Sequence, residues 1–347
     1  VNTPPLPDGG ADLSAVERVS SEIAKAMKEY KVIVCKSTVP AETHARVKKT
    51  VEMLKGSKVD FDVASNPEFL REGRAVSDTL NPDRVVIGVE SKRAEDILRK
   101  LYSPLKAPMV VTNITTAEII KHACNSFLSI KISYINAVAN ICERVNADVE
   151  KVAEGMGYDK RIGRQFLSAG AGFGGNCFPK DLDAFIHLAE KKGYDFEMLK
   201  AARKINYDQK KILLKKIEDA LWILKGKTIG VLGLSFKAET DDIRNSIAID
   251  MVEMLQAQGA KIKAYDPQAM GKAKNELKGV TLGKNAYEAA KNSDCLLIMT
   301  EWPEFKELDL KKIKKLLRQP VIVDGRNLFD PAQMKSMGFI YKCIGRF

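Results

Sequence analysis

The sequence predicts an α/β protein in which two parallel-sheet units are joined by a long central helix, and three observations predict it. Residues 17–89 alternate amphipathic and continuous apolar segments in helix–strand order. Residues 115–157 contain no Pro, and no Gly before Gly155, while apolar positions recur at helical spacing. Residues 226–267 then run strand, glycine turn, helix and strand. The 347 residues suffice for two ordinary domains or one large one, each with its own core.

In chain order, "VNTPP" reads as the exit from a strand, so the first sheet is expected to have further members upstream. "ERVSSEIAKAMK" (17–28) has one apolar face and reads as a helix, and "KVIVCKST" (31–38) is a buried strand. "AETHARVKKTVEML" (41–54) is a second helix, followed by strands in "FDVASNP" (61–67) and "RVVIGV" (84–89). This is a parallel-sheet pattern. Residues 115–157 read as one long helix, and "DLDAFIHLAEKKG" (181–193) and 197–224 as further helices of a central region. A second α/β unit opens with a strand at Thr228–Leu232, turns at Gly230 and Gly233, continues as a helix over 242–259 and returns as "KIKAYDP", closed by Asp266. Asp266 lies 33 residues after Gly233, further than the roughly 20 of a dinucleotide fingerprint, so a looser nucleotide-like site is expected. "SDCLLIMTEWPEF" and "PVIVDGRNLFD" supply two more strands. The resulting boundaries are 1–112, 113–224 and 225–347.

Composition narrows the function classes. No apolar run approaches a bilayer span and no secretory leader pattern opens the chain, so a cytoplasmic protein without membrane partners is expected. The formal charge of +11 sits mostly on solvated helix faces such as "KKILLKKIED", with no aromatic or zinc-finger signature, so no nucleic-acid partner is expected. The six cysteines are widely spaced without a C-x-x-C pair, which fits neither a disulfide framework nor a structural metal site, and no metal is expected.

Gly170, Gly172 and Gly175 follow the order G-x-G-x-x-G, yet they follow the polar run "RIGRQFLSA" instead of a strand. They read as a flexible loop that presents Cys177 beside Lys180 and Asp181, a placement that suits a reactive thiolate. Cys35, Cys124, Cys142 and Cys295 read as structural. Lys121 and Asn125 are four residues apart and share a helix face, where they could polarise a carbonyl or stabilise an alkoxide. Glu68 and Glu72 form a similar pair of carboxylates, a candidate for general-base work and otherwise a solvated pair.

Together the stretches "VNTPP", "KSTVP", "SNPEFLREG", "NPDRVVIG", "KHACN", "GAGFGGNCFPKD", "GLSFKAETDDIRNS", "YDP" and "DGRN" resemble, in order and separation, the nucleotide-sugar 6-dehydrogenases of the UDP-glucose/GDP-mannose dehydrogenase family. The resemblance covers essentially the whole chain. It implies two Rossmann-like domains joined by a long central helix and a helical dimerisation region, and the oxidation of a sugar CH2OH to a carboxylate with two NAD. UDP-glucose, giving UDP-glucuronate, is the implied substrate. Cys177 matches the nucleophile that forms the thiohemiacetal and thioester. Lys121, with Asn125 beside it, matches the residue offsetting the oxyanion; Glu68 matches the base for thioester hydrolysis; Asp181 matches the partner of the catalytic water and of Lys121; and Thr38 matches a further catalytic position.

For the substrate, the resemblance implies Glu68, Phe69, Leu70, Arg71 and Glu72 from one turn, with Lys121 and Asn125. It adds Ser168, Ala169, Gly170, Ala171, Gly172, Phe173 and Gly174 from the glycine loop, whose glycines would let the backbone wrap a sugar, and Phe236, Lys237 and Arg326 from the second unit. Arg161 matches a residue that enters a neighbouring subunit's site, which implies a homodimer or higher homo-oligomer. NAD contacts are implied at Val1, Asn2, Thr3, Pro4, Pro5, Ser37, Thr38, Glu72 and Arg244.

The chain departs from the family pattern in two places. The family's first domain opens with a glycine fingerprint and an acidic residue for the NAD ribose. Neither is found here, so the first domain is expected to be incomplete, short of about three βα units. Ser168 stands where some relatives carry a basic residue near the nucleotide phosphates. Alternative readings are the same chemistry on UDP-N-acetylhexosamine or GDP-mannose, and, in another class, a nucleotide-sugar-binding protein without dehydrogenase activity.

Overall fold

The computed structural model describes residues 1–56 and 58–347. Its residues cluster into two compact units, Val1–Phe127 with Lys180–Glu197, and Leu128–Pro179 with Met198–Phe347.

The first unit contains α1 (Ser14–Ala26), β1 (Lys31–Cys35), α2 (Thr43–Leu54), β2 (Phe61–Ser65), α3 (Ala75–Leu80), β3 (Val85–Gly88), α4 (Lys92–Tyr102) and β4 (Met109–Thr112). Its sheet has the order β1-β2-β3-β4. Adjacent residues of β2 face opposite sides of the sheet. Val63 joins Val16, Ile33, Val47 and Val51 in one cluster, and Ala64 joins Val85, Ile87 and Leu98 in another. The expected parallel sheet is corrected here to a mixed one: β1 with β2 and β3 with β4 are parallel, but β2 meets β3 antiparallel at Ser65–Gly88. A parallel crossover usually carries a helix packed on the sheet, whereas α3, in the intervening link, buries no residue.

The expected single helix over 115–157 is two helices, α5 (Ile114–Val145) and α6 (Val149–Gly157). The reason is local. Asn146 takes a left-handed conformation (φ 57°), which Asn tolerates better than most residues, and the Asp148 side chain caps α6 by accepting from Glu150 N at 2.8 Å. After α7 (Phe178–Lys191) and α8 (Glu197–Leu221) come β5 (Thr228–Leu232), α9 (Ile247–Ala257), β6 (Lys261–Tyr265), α10 (Met270–Glu276), β7 (Val280–Leu282), α11 (Ala286–Ala290), β8 (Cys295–Ile298), α12 (Pro303–Lys306), α13 (Leu310–Leu316), β9 (Val321–Asp324), α14 (Pro331–Ser336) and β10 (Ile340–Lys342). The helix expected from 242 begins only at Ile247, because Asn245 is left-handed (φ 48°) and Ser246 caps the helix. The second sheet, β10-β9-β8-β5-β6-β7, is parallel at every pair, a doubly wound order with its switch point between β5 and β8.

That switch point is tied internally by Asp266, which is fully buried. Its Oδ2 accepts from Leu234 N (2.7 Å), Ser235 N (3.0 Å), Ser235 Oγ (3.0 Å) and Trp302 Nε1 (3.2 Å), and its Oδ1 from Gln268 N (2.8 Å) and Ala269 N (2.7 Å). Gly230, expected in a turn, lies inside β5, and both it and Gly233 are close-packed against protein. A Cβ on Gly230 would meet Ala289 O at 2.5 Å, and one on Gly233 (φ 91°) would meet Thr300 Cβ at 2.4 Å. Asp266 therefore clasps β5 to β6 and does not offer the free carboxylate with which a dinucleotide fold grips a ribose. Replacing it by Asn turns an NH2 donor towards fixed N–H donors, and Asp266→Asn is expected to cost roughly 2–4 kcal/mol, read as a lowered urea midpoint at unchanged m-value.

Candidate functional site

In the first unit the candidate chemistry sits where β1 and β2 end. Helix α5 sends a stripe of buried polar side chains to these loops: Glu118, Lys121, His122 and Asn125 are all under 8 % exposed. Lys121 Nζ meets Glu68 Oε1 at 3.0 Å, and Glu68 Oε2 accepts from Leu70 N at 2.6 Å. Asn125 Nδ2 donates to Asp181 Oδ2 at 2.6 Å, and Lys180 Nζ meets Asp181 Oδ1 at 2.7 Å. The ammonium of Lys121 thus pairs with Glu68, where the resemblance implied Asp181. Arg71 forks onto Asp78, whose carboxyl it holds down to about 2, while Glu72 lies half-buried in the same turn.

Glu118 and His122 went unnoticed in the sequence, although their i, i+3 and i+4 spacing to Lys121 and Asn125 marks the same face. Glu118 caps α2 from outside the helix. It accepts from Glu42 N (2.8 Å) and His44 N (3.2 Å) and meets His44 Nδ1 at 3.3 Å, while Glu42 itself, left-handed at φ 72°, makes no side-chain cap bond. Burial pushes the Glu118 carboxyl above its ordinary value, against the pull of His44.

The implied NAD positions of this unit gather at the same edge. Thr3 Oγ1 donates to Thr38 O at 2.9 Å and Ser37 Oγ to Val1 O at 2.7 Å. Thr3 is buried, Asn2, Pro4 and Pro5 are exposed, and Pro5 bridges to Ala11. This hydroxyl-rich set at the C-terminal end of β1 fits the polar, ribose-like parts of a dinucleotide. Among the described residues of this unit, no G-x-G-x-x-G turn joins a strand to a helix.

The second unit holds the glycine loop. The expectation of a flexible loop is overturned: residues 169–175 are buried, and side chains or neighbouring backbone hold the main chain along it. Gly170 N donates to Asn136 Oδ1 (2.8 Å) and Ala171 N to Gly325 O (2.8 Å). Arg326 Nη1 donates to Gly172 O (3.1 Å), and Asn206 grips both the N–H (2.8 Å) and the C=O (3.0 Å) of Phe173. Gly175 N donates to Arg244 O (3.1 Å), and Asn245 Nδ2 to Gly175 O (3.1 Å). The glycines permit close approach of protein: a Cβ on Gly172 would meet Asn206 Oδ1 at 2.7 Å, on Gly174 Asn245 O at 2.1 Å, and on Gly175 the Phe236 ring at 2.7 Å. Asn136, Asn206 and Asn245 were missed because nothing in a single sequence links an amide on a helix to a distant loop.

Cys177 is exposed and immediately precedes α7, a position where the helix N-terminus favours a thiolate. Burial pushes Cys35 up to about 11 and Cys295 and Cys343 up to about 12, and raises Cys142 too. Of the remaining implied residues, Ser168 Oγ accepts from Arg164 Nη1 at 3.3 Å, so a basic group stands beside it after all. Arg326 also donates to Met299 O at 2.7 Å. Lys237 lies over the Phe236 ring (5.9 Å) and Arg244 forks onto Asp242 (2.7 and 2.9 Å). Arg161 is exposed and pairs with Asp159 at 2.6 Å. Glu68, Lys121, Asn125 and Asp181 belong to the first unit, and Cys177, the glycine loop, Phe236, Lys237, Arg244 and Arg326 to the second. Among the described residues no group of three or more His, Cys, Asp or Glu could hold a metal ion, and no helix is long and apolar enough to cross a membrane.

His122 ties the Thr38 loop to α5, its Nε2 lying 2.9 Å from Val39 O. Burial pushes its imidazole below the ordinary 6.5, with Asp181 pulling the other way. A histidine held neutral by the fold protonates first in the unfolded chain. Its contribution is therefore complete above pH ~6.5 and is lost as pH falls through the lower folded value. The urea midpoint is expected to drop between about pH 7.5 and 5.5, and to drop less in His122→Gln.

Residues 1–106 match the NAD binding domain of the UDP-glucose/GDP-mannose dehydrogenase family, residues 115–208 its central domain and residues 230–331 its UDP binding domain. The chain is 48 % identical over 347 residues to UDP-glucose 6-dehydrogenase TuaD of Bacillus subtilis (strain 168), covering 100 % of this chain and 75 % of that protein. Among solved structures it is similar to a UDP-glucose dehydrogenase from the hyperthermophilic archaeon Pyrobaculum islandicum (TM-score 0.93, 38 % identity, 100 % of this chain and 79 % of that one). It is also similar to a UDP-D-ManNAc dehydrogenase from Pyrococcus horikoshii (TM-score 0.87, 30 % identity, 100 % and 80 %). With three consecutive domain matches and identity sustained along its whole length, this chain belongs to the UDP-glucose/GDP-mannose dehydrogenase family, oxidoreductases that use NAD.

Proposed function

We propose that this protein oxidises UDP-glucose to UDP-glucuronate in a four-electron reaction that passes through a thiohemiacetal and a thioester on Cys177. The observation that carries the reading is the Lys121–Glu68 pair, 3.0 Å apart, its lysine buried on a helix that also sends Asn125 to Asp181. It supplies a fixed cation and a carboxylate within one small cluster. NAD, when bound, accepts one hydride in each oxidation; Val1–Pro5, Ser37, Thr38, Glu72 and Arg244 are the residues proposed to hold it.

The alcohol first loses a hydride, and its hydroxyl proton to water, to become an aldehyde. The Sγ–C6 bond then forms as the Cys177 thiolate adds to the carbonyl carbon, and Lys121 and Asn125 offset the charge on its oxygen. Loss of the second hydride leaves the thioester. Glu68 takes a proton from water as the water oxygen adds to C6, and the Sγ–C6 bond breaks to give carboxylate and thiol. Asp181 fixes the orientation of Asn125. Glu68–Glu72, the 168–174 loop, Phe236, Lys237 and Arg326 are proposed to bind the UDP-sugar, the loop acting as a rigid platform.

A homodimer is part of the reading. Tyr134, Ile141 and Val145 are 52 %, 59 % and 64 % exposed along α5 at seven- and four-residue spacing, a seam that suits a second helix, and the exposed Arg161 is available to reach a second copy. The reading places the reaction in the cytoplasm, where Cys177 remains reduced. The similarity to a UDP-D-ManNAc dehydrogenase supports a second reading, the same chemistry on a UDP-N-acetylhexosamine; GDP-mannose is the further alternative.

Purified protein supplied with NAD is expected to form two NADH per UDP-glucose, and faster than with UDP-N-acetylmannosamine or GDP-mannose. Cys177→Ser is expected to lower acid formation by about a thousandfold or more, and mass spectrometry of quenched wild-type enzyme to find the sugar on the Cys177 peptide. Full turnover by the variant would refute the nucleophile assignment, and a faster rate with another sugar would move the reading to that sugar.

A further inference from the structure

The Glu68 turn follows β2 and runs from buried Asn66 to exposed Leu70, yet it presents its carboxylate at a defined distance from Lys121, so something must hold the turn. Two anchors outside the assigned residues do so. On one side is Asn66, 2 % exposed. Its Oδ1 accepts from Lys36 Nζ (2.6 Å) and Tyr102 Oη (2.5 Å), its backbone O from Lys36 Nζ (3.3 Å), and its Nδ2 donates to Val86 O (2.7 Å). On the other side is Arg84, which immediately precedes β3. Its guanidinium lies 3.9 Å from the centre of the Phe69 ring, and its Nη2 donates to Cys124 Sγ at 3.6 Å. Lys121 Nζ also lies over that ring, at 5.2 Å. Phe69 is thus the face shared by two cations, one that reaches Glu68 directly and one that does not.

We propose that Arg84 is a positioning residue: by stacking on Phe69 it holds the Asn66–Leu70 turn so that Glu68 meets Lys121, while Lys36 and Tyr102 hold the other end of the turn through Asn66. A planar guanidinium over an aromatic face is attracted by the ring quadrupole and fixes the ring's orientation. With the ring fixed, the residue before it has little freedom. Glu68 sits between the two anchors, and neither Arg84 nor Lys36 need touch substrate to decide where its carboxylate points. The consequence for Lys121 is seclusion, its side chain being only 5 % exposed beside Glu68.

The functional half of this inference rests on the proposed roles of Glu68 and Lys121, but its geometric half does not, and the test separates them. Lys121 is labelled with acetic anhydride and its acetylation rate read by peptide mass spectrometry in wild type, Arg84→Met and Arg84→Lys, with thermal midpoints measured alongside. Arg84→Met is expected to raise Lys121 labelling about tenfold relative to other lysines, and Arg84→Lys, which keeps a cation over the ring, to stay within about twofold of wild type. In turnover, Arg84→Met is expected to lower kcat about tenfold with KM for the nucleotide sugar within twofold, and Arg84→Lys to restore most of it. Should Arg84→Met fail to fold, Phe69→Leu, which removes the ring and leaves the guanidinium, is expected to give the same gain in labelling. Unchanged labelling in these variants, or equal effects of Met and Lys at position 84, would overturn the proposal. Absence of turnover in wild type with the labelling pattern intact would strike the function reading alone.

Discussion

A buried polar or charged side chain on a helix must find a partner or destabilise the fold, and α5 carries four in succession. Glu118 finds the start of α2, Lys121 the Glu68 turn, His122 the Val39 carbonyl and Asn125 the Asp181 carboxylate. The partners come from three segments: the stretch from Val39 to His44, the Glu68 turn and the start of α7. The need to satisfy one stripe therefore fixes three segments against one rod, and the catalytic candidates Lys121 and Asn125 inherit their precision from neighbours whose role is structural.

The second unit solves a comparable problem in the opposite sense, because there the backbone is buried and side chains come to it. A loop sunk in protein cannot leave its N–H and C=O groups unpaired, and Asn136, Asn206, Asn245 and Arg326 supply amide and guanidinium partners to the 170–175 segment. Such a loop is pre-organised. Little ordering remains to oppose binding of a ligand laid along it, which suits a platform better than a lid.

The doubly wound sheet of that unit has the strand order of a dinucleotide-binding domain, but its acidic residue and its glycines are absorbed by the protein. Asp266 accepts six hydrogen bonds, and Gly230 and Gly233 give room to Ala289 and Thr300. Residues 230–331 accordingly match a UDP binding domain and not a second dinucleotide domain.

Local chemistry determined much of this protein by itself. Apolar periodicity marked α1, α2, α8 and the strands β1, β5, β8 and β9, because a buried face leaves a periodic trace in sequence. The i, i+4 spacing of Lys121 and Asn125, and a cysteine directly before a helix, exposed the chemical candidates. What the sequence could not carry were features settled by distant partners. Asn146 and Asp148 broke a helix that periodicity would have continued, β3 runs antiparallel to β2 across a link whose helix α3 packs on nothing buried, and β7 and β10, three residues each, are too short to show a period. Whether a glycine makes room for a ligand or for a neighbouring chain, and whether a carboxylate such as Asp266 faces solvent or six donors, depends on atoms far away in the sequence, and only the packed tertiary structure brings those atoms together.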